Sequence, residues 1–189
     1  NMYCISLKTS HPIADVRLKA ALNRWLPLSI AVLDCEEADI DFHARYSCTS
    51  KEYIYKIWNT EVRNPFLDGY ALHYRYKLDE DMLNSAAQAY VGTHDFTSFC
   101  TLDSREKGDM TRTVKAFSVT REGNLVTMKV EADGFLYNMV RIMVGTLLRI
   151  QQGKIPVDGI AGIIEKKDRK FAGPTAQPCG LYLNRVNYD

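Results

Sequence analysis

The chain has 189 residues, of which 46% are hydrophobic and 25% charged, and its formal net charge at pH 7 is +1. These are ordinary values for a globular domain, so any surface that binds nucleic acid has to be a local patch rather than a strongly basic domain. The five cysteines are scattered and form no C-x-x-C pair, which argues against a zinc site or a disulfide scaffold and predicts reduced thiols in the cytoplasm. No apolar run is long enough to span a bilayer, so no membrane association is expected.

The first third of the chain is predicted to contain three strands and one helix. Residues 2–7 and 30–33 are interpreted as strands. Residues 15–26 have helical spacing of apolar side chains, and Pro27 ends that helix. Residues 53–58 are predicted to form a strand in which successive side chains point to opposite faces, with Tyr53 and Tyr55 on the same face.

The remaining elements predict a mixed architecture. In chain order they are a strand at 71–76, a helix at 79–90 with Asp79 as its N-cap, a hairpin of 111–120 with 125–132, helices at 134–149 and 158–166, and a strand at 180–186. Antiparallel hairpins combined with packed helices indicate the α+β class. The basic run at residues 166–170 contains interleaved acids and is interpreted as a solvated face.

The helix at residues 134–149 carries a single arginine, Arg141, among apolar neighbours. A cation in such surroundings is rarely buried unless it meets an anion. A structural ion pair and a functional role are equally compatible with the residues alone. Gly145 lies inside the same helix, where it costs about 1 kcal/mol relative to alanine, so we expect a close backbone contact there.

The strand that begins at Tyr53 presents aromatic side chains close in sequence to two cations, Arg45 and Lys51. Nucleotides that have left a base stack bind on aromatic rings beside cations. An aromatic pair between neighbouring strands of an ordinary sheet is the alternative, and without further information it is favoured.

Together these segments resemble the TruA family of tRNA pseudouridine synthases. Four of its motifs recur here in the same order and spacing: F-H-A-R-Y-S with K-x-Y-x-Y at residues 42–55, H-D-F-x-x-F at 94–99, F-x-x-x-M-V-R-x-M-V-G at 135–145 and G-L-Y-L at 180–183. Any one of them is weak, whereas four in register are a strong signal covering essentially the whole chain. The resemblance implies the pseudouridine synthase fold, with two ferredoxin-like lobes and a mostly antiparallel mixed sheet. Residues 1–40 would be a truncated first lobe and 41–189 the second.

The resemblance also implies an activity, the isomerisation of uridine to pseudouridine in the tRNA anticodon arm. It implies no cofactor and no metal, because the N-glycosidic bond is broken and the base rejoined through carbon without a redox step. The partner is tRNA, and the full-length protein is expected to be a cytoplasmic homodimer.

Site residues follow from the matched motifs. Tyr53 would pack against the target base, and Arg141 would pair with the nucleophilic aspartate. Arg45 is expected to contact a phosphate, with a surface ion pair as the alternative. His43 would have an RNA role or a structural hydrogen bond, and Leu181 would line the uracil pocket or simply fill the strand core. Asp95, in the H-D-F motif, is expected to cap a short helix rather than act as a nucleophile.

One departure from the family is large. The nucleophile belongs to an R-T-D-x-G-V-H segment that this sequence does not contain. By alignment that segment would end just before Asn1, so we expect the chain alone to be inactive. A mis-called gene start, a deliberate fragment and a degenerate paralogue all fit. The alternative function is a catalytically inactive RNA-binding module derived from the same family.

Overall fold

The computed structural model describes residues 3–10, 12–101 and 108–188. These residues form two compact units. One comprises Cys4–Ser47, and the other begins at Cys48 and also includes Tyr3. Among the helices of the described ranges, none is both long and apolar enough to cross a membrane.

In the described residues of the Cys4–Ser47 unit the one regular element is helix α1 (Asp15–Trp25), which confirms the predicted helix. The two strands predicted at residues 2–7 and 30–33 are wrong, because residues 3–7 and 30–33 have no strand structure. For residues 30–33 the reason is a pair of hydrogen bonds to the side chain of Asn23. The amide of Asn23 donates to the Val32 carbonyl and its Oδ1 accepts from the Val32 nitrogen, at 2.9 and 2.8 Å. These two bonds occupy the groups that a neighbouring strand would need.

The unit that begins at Cys48 holds the other elements. Its strands are β1 (Cys48–Trp58), β2 (Leu72–His73), β3 (Gly92–Asp95), β4 (Thr111–Glu122), β5 (Leu125–Ala132) and β6 (Leu181–Tyr188), and its helices are α2 (Glu80–Ala87), α3 (Met139–Gln151) and α4 (Gly159–Lys166). The predicted hairpin, the helices and the last strand are confirmed. The predicted α+β class and mostly antiparallel mixed sheet are confirmed as well.

The six strands form one sheet in the order β2-β1-β5-β4-β3, and β6 also pairs with β1. Among the strand pairs of the described residues, only the short β1–β2 pair is parallel. Along β1, Tyr53 lies opposite Val130 of β5 and Leu183 of β6, so the aromatic part of the strand is flanked on both sides. Because β1 lies between β5 and β6 at Tyr53, it has no free edge at that point, and the pairing fixes the direction of its side chains.

The strand predicted at residues 71–76 is shorter than expected, because the side chain of Asn59 binds the following backbone. Asn59 Nδ2 donates to the carbonyls of Tyr74 and Tyr76 at 2.8 and 2.7 Å, and its Oδ1 accepts from the Leu78 nitrogen at 3.1 Å. These bonds pull residues 74–78 around Asn59 and away from the ladder. Asp79 then caps α2 as predicted, accepting from the Met82 nitrogen at 2.9 Å.

One face of the sheet and helix α3 share the main core. Tyr55 and Ile57 of β1 are fully buried, as are Met143 and Leu147 of α3. Apolar burial of this kind is the main stabilising contribution in a domain of this size. Because α3 is packed along this face, the beginning of the helix is held close to the tyrosines of β1.

A backbone crossing confirms the close contact expected at Gly145. A Cβ added there would overlap the carbonyl oxygen of Pro174 and lie 2.9 Å from its carbonyl carbon. Thr146 strengthens the crossing, since its hydroxyl accepts from the Gly173 nitrogen at 2.8 Å. We call residues 172–177 the crossing segment.

Arg169 also binds the crossing segment, donating to the Gly173 carbonyl at 2.8 Å and to the Thr175 hydroxyl at 3.3 Å. The interpretation of residues 166–170 as a solvated face is therefore wrong for this half-buried arginine.

Candidate active site

Arg141 lies in the first turn of α3, and three parts of the chain meet at its half-buried side chain. Its Nε donates to the carbonyl of Ala176 at 2.7 Å, and its Nη1 donates to Oδ1 of Asn138 at 2.9 Å. The Ala176 nitrogen donates back to the Arg141 carbonyl at 3.1 Å. The guanidinium is thus held in one orientation by the crossing segment and by the residue that precedes the helix.

The electrostatic setting of Arg141 is unusual for a cation. A helix N-terminus carries a partial positive charge that favours anions, and the first turn of α3 contains no acidic residue. Both hydrogen-bond acceptors of the guanidinium are neutral. Within the described part of the unit that begins at Cys48, no carboxylate oxygen lies within 4.0 Å of it. This end of α3 therefore favours binding of an anion.

Tyr53 lies half-buried on the core side of β1, facing the residues that lead into α3. Its ring meets the ring of Phe135 edge to face, with centroids 5.1 Å apart and planes at 83°. Burial raises the pKa of the Tyr53 phenol, so the ring stays neutral at physiological pH. An aromatic ring that is fixed at its edge and partly exposed offers a surface on which a base can stack.

Tyr55 connects β1 to the crossing segment. Its hydroxyl donates to the Gln177 carbonyl at 2.6 Å, and burial raises the pKa of this phenol while the nearby Arg141 charge lowers it. Leu181 of β6 pairs with Tyr55 across the ladder and is partly buried against the core. A Cβ added to Gly180 would lie 2.8 Å from the Tyr55 ring, so only glycine fits at that position.

Contacts along these elements join three of the predicted site residues. Tyr53 and Tyr55 are two residues apart and lie on the same face of β1. Leu181 of β6 lies opposite Tyr55. Tyr55 bonds Gln177, and the neighbouring Ala176 bonds Arg141. A fixed cation, an aromatic ring and an aliphatic wall in one region are able to bind a flat, partly apolar group together with an anion.

The other two predicted site residues, His43 and Arg45, belong to the Cys4–Ser47 unit. The Nδ1 atom of His43 accepts from the Arg45 nitrogen at 3.1 Å, and its ring lies 4.5 Å from that of Tyr46. The guanidinium of Arg45 lies 5.7 Å from the Tyr46 ring centroid. The hydrogen bond of His43 lies within a tight turn, and the side chains of His43 and Arg45 are both exposed.

No cluster of three or more His, Cys, Asp or Glu side chains that could hold a metal ion occurs within residues 3–10, 12–101 and 108–188. The carbonyl and amide oxygens around Arg141 serve its guanidinium instead.

The sequence predicts Asp95 as the N-cap of a short helix, but the N-cap is Phe96, and Asp95 instead binds the first residue of the turn that follows. Its Oδ1 accepts from the Thr97 nitrogen at 3.0 Å and from the Thr97 hydroxyl at 2.6 Å, at the start of the 3₁₀ turn Thr97–Phe99. Its Oδ2 lies 2.9 Å from Nζ of Lys167. The hydrogen bond from the Thr97 hydroxyl, aided by Lys167, lowers the pKa of this carboxyl.

The lowered pKa of Asp95 predicts a specific pH dependence of stability. Its stabilising contribution is present above the unfolded-state value of about 4 and is lost as pH falls through the lower folded-state pKa. Asp95→Asn keeps the acceptor oxygen but does not titrate, so its deficit in unfolding free energy should be below about 1 kcal/mol at neutral pH and should shrink towards about pH 2. Urea unfolding at both pH values measures this. A deficit that grows in acid would contradict the assignment.

Sequence reasoning did not identify Asn138 and Ala176 as partners of Arg141. The predicted helix began at residue 134, whereas α3 begins at Met139, because Asn138 adopts a left-handed conformation with φ of 63°. Asparagine tolerates that region, so an Asn inside the predicted apolar helix was an available signal. Ala176 acts through its carbonyl, for which no side-chain pattern exists.

Comparison with known proteins shows the family of the chain. Residues 86–189 match the family model described as tRNA pseudouridine synthase. The chain is 46% identical over 171 residues to tRNA pseudouridine synthase A of Geobacillus sp. (strain WCH70), covering 90% of this chain and 68% of that protein. It is 43% identical to tRNA pseudouridine synthase A of Acetivibrio thermocellus and 45% identical to that of Bacillus pumilus, covering 95% and 98% of this chain and 73% and 74% of those proteins. The chain therefore belongs to the tRNA pseudouridine synthase family.

Proposed function

We propose that this chain forms the base-binding and arginine-bearing part of an enzyme that isomerises uridine to pseudouridine in the tRNA anticodon arm. The reaction breaks the bond between the ribose and the base nitrogen and forms a bond between the same ribose carbon and a ring carbon of the base. The base must first leave its stack, which costs a few kcal/mol. In this proposal the Tyr53 ring stabilises the extruded base, and the aliphatic side chain of Leu181 lines the same pocket.

The observation that carries the proposal is the state of Arg141. A half-buried guanidinium fixed by two neutral acceptors, in a helix turn that itself favours anions, is suited to receive a carboxylate. We infer that this carboxylate is the nucleophilic aspartate of the R-T-D segment. Because the 189-residue sequence contains no such segment, the chain alone is expected to form no pseudouridine.

Two proteins test this proposal. One is the 189-residue chain, and the other is a fusion in which the N-terminal portion of a relative that contains R-T-D-x-G-V-H precedes the same chain. Release of tritium from tRNA labelled at carbon 5 of uridine measures the reaction. We expect no turnover by the chain and multiple turnovers by the fusion. Catalytic turnover by the chain alone would contradict the proposed need for the segment. A folded, inactive fusion that still binds tRNA would favour the inactive RNA-binding module instead.

Base stacking on Tyr53 makes a separate prediction about RNA affinity. Tyr53→Ala should weaken binding of tRNA by about 1–3 kcal/mol, equivalent to about 5- to 150-fold, because the stacking surface is removed. Tyr53→Phe keeps the ring and its edge contact with Phe135, so its affinity should stay within about twofold. Fluorescence anisotropy with labelled tRNA measures both variants. Equal weakening by Phe and Ala would show that the hydroxyl, not the ring, makes the contact.

Arg45 supplies the contrasting test, because a phosphate contact differs from stacking in its salt dependence. Arg45→Ala should weaken binding and reduce the slope of log affinity against log salt by roughly one unit, whereas Tyr53→Ala should leave that slope unchanged. An unchanged slope for Arg45→Ala would contradict the phosphate contact and favour the alternative of a surface ion pair. The proposal also includes a cytoplasmic location and a homodimer. Sedimentation of the active fusion measures its oligomeric state.

A further inference from the structure

We propose that Asn138 is a positioning residue for Arg141, and that its neutral amide fixes the guanidinium without consuming its charge. The inference concerns the site of the proposed function and rests on that function for its catalytic consequence. Two features of Asn138 carry it: a left-handed backbone, with φ of 63° and ψ of 7°, and a side chain engaged at both of its ends.

The left-handed backbone places the Asn138 side chain beside the arginine. Non-glycine residues in this region are uncommon, and such conformations occur where the surrounding structure requires them. Here the carbonyl of Asn138 starts the hydrogen bonding of α3 by accepting from the Ile142 nitrogen at 3.0 Å. Its side chain makes no capping hydrogen bond to the helix backbone, so the usual role of a residue at this position is not the one it serves.

The Asn138 side chain instead links two distant parts of the chain. Its Oδ1 accepts from Nη1 of Arg141 at 2.9 Å, and its Nδ2 donates to the hydroxyl oxygen of Thr101 at 3.2 Å. The Thr101 nitrogen in turn donates to the Tyr137 carbonyl at 3.1 Å, which anchors Thr101 to the residue before Asn138. The amide plane is therefore fixed from the side opposite the arginine.

On the other edge of the guanidinium, the Ala176 carbonyl accepts from Nε at 2.7 Å. With Nε and Nη1 both directed to fixed acceptors, rotation about the bonds of the guanidinium is restrained and its plane is set. Five N–H donors are available to an arginine, so donors remain to bind an anion in this plane.

The chemical identity of residue 138 matters because asparagine and aspartate both tolerate the left-handed region and both accept from a guanidinium. Aspartate would form an ion pair with Arg141 and compete with an incoming carboxylate or phosphate. Glycine would keep the backbone conformation and remove the acceptor. The two substitutions therefore separate the positioning role from the charge requirement.

The first test uses the 189-residue chain labelled with nitrogen-15 arginine, and needs no activity. Arg141 signals are assigned by their loss in Arg141→Lys. We expect separate, slowly exchanging Nη signals for the unsubstituted chain and for Asn138→Asp, and averaged Nη signals for Asn138→Gly. The control is Asn124→Gly, since Asn124 lies exposed in the β4–β5 turn, and its Arg141 signals should be unchanged. Unchanged Nη signals in Asn138→Gly would overturn the positioning role.

The second test uses the active fusion. Asn138→Gly, which misplaces the guanidinium, and Asn138→Asp, which pairs with its charge, are each expected to lower kcat by about 10- to 100-fold. KM should change by less than about threefold, because both changes act on the transition state. Wild-type kcat in Asn138→Asp would overturn the requirement for a neutral acceptor. If Asn138→Gly does not fold, Thr101→Val replaces it, since it removes only the anchor of the amide. An inactive parent fusion would contradict the proposed function while the spectra still decide the positioning role.

Discussion

Gly145→Ala is expected to lower the free energy of unfolding by more than about 4 kcal/mol, an effect well above that of most single substitutions. A Cβ at this position would overlap the Pro174 carbonyl oxygen, which belongs to backbone rather than to a movable side chain. The contact is equally close from the side of the crossing segment, since a Cβ on Gly173 would lie 2.5 Å from the Gly145 oxygen. The crossing segment would have to separate from α3 and lose the Gly173–Thr146 hydrogen bond.

The chain contains a matched control in another helix. Gly162 lies exposed within α4, and a Cβ added there would meet no atom within 4 Å. Gly162→Ala should therefore raise the unfolding free energy by up to about 1 kcal/mol through helix propensity alone. Urea unfolding of both variants measures the contrast. A Gly145→Ala variant within about 1 kcal/mol of the unsubstituted chain would show that the crossing is not a close backbone contact.

In the active fusion, Arg141→Lys is expected to reduce kcat by at least about 100-fold, comparable to the loss of a fixed electrostatic donor in other enzymes. Lysine keeps the charge but has no planar fork, so it cannot bind the Ala176 carbonyl, the Asn138 amide and a carboxylate in one geometry. KM should change little, because the base still stacks on Tyr53.

Arg149→Lys is the control for Arg141→Lys. Arg149 lies on the same helix, and its Nη1 donates to Gln152 Oε1 at 3.3 Å. Its substitution should leave kcat within about twofold, as expected for a residue without contact to the reacting groups. Wild-type kcat in Arg141→Lys would mean that a positive charge suffices and that the fixed plane of the guanidinium has no role.

The fold and much of the candidate site could be predicted where the signal is periodic or local. Helix α3 and strand β1 have long apolar or alternating patterns, and such patterns survive because burial selects one face along the whole element. The cap at Asp79 and the turn at Asp95 depend on residues two or three positions away, which a sequence displays directly. The strand predicted at residues 30–33 was wrong because a side chain nine residues away, Asn23, binds the backbone of Val32, and no apolar pattern shows such a bond.

By itself the sequence determined the α+β class, the family motifs, the exceptional arginine in α3 and the need for a small residue at Gly145. Only the tertiary structure decided what meets those residues. The partners of Arg141 are a backbone carbonyl 35 residues away and an asparagine with a left-handed backbone. The partner of Gly145 is again backbone, that of Pro174. Backbone groups are the same at every residue, so no pattern of side chains shows which of them will meet; that depends on the path of the folded chain.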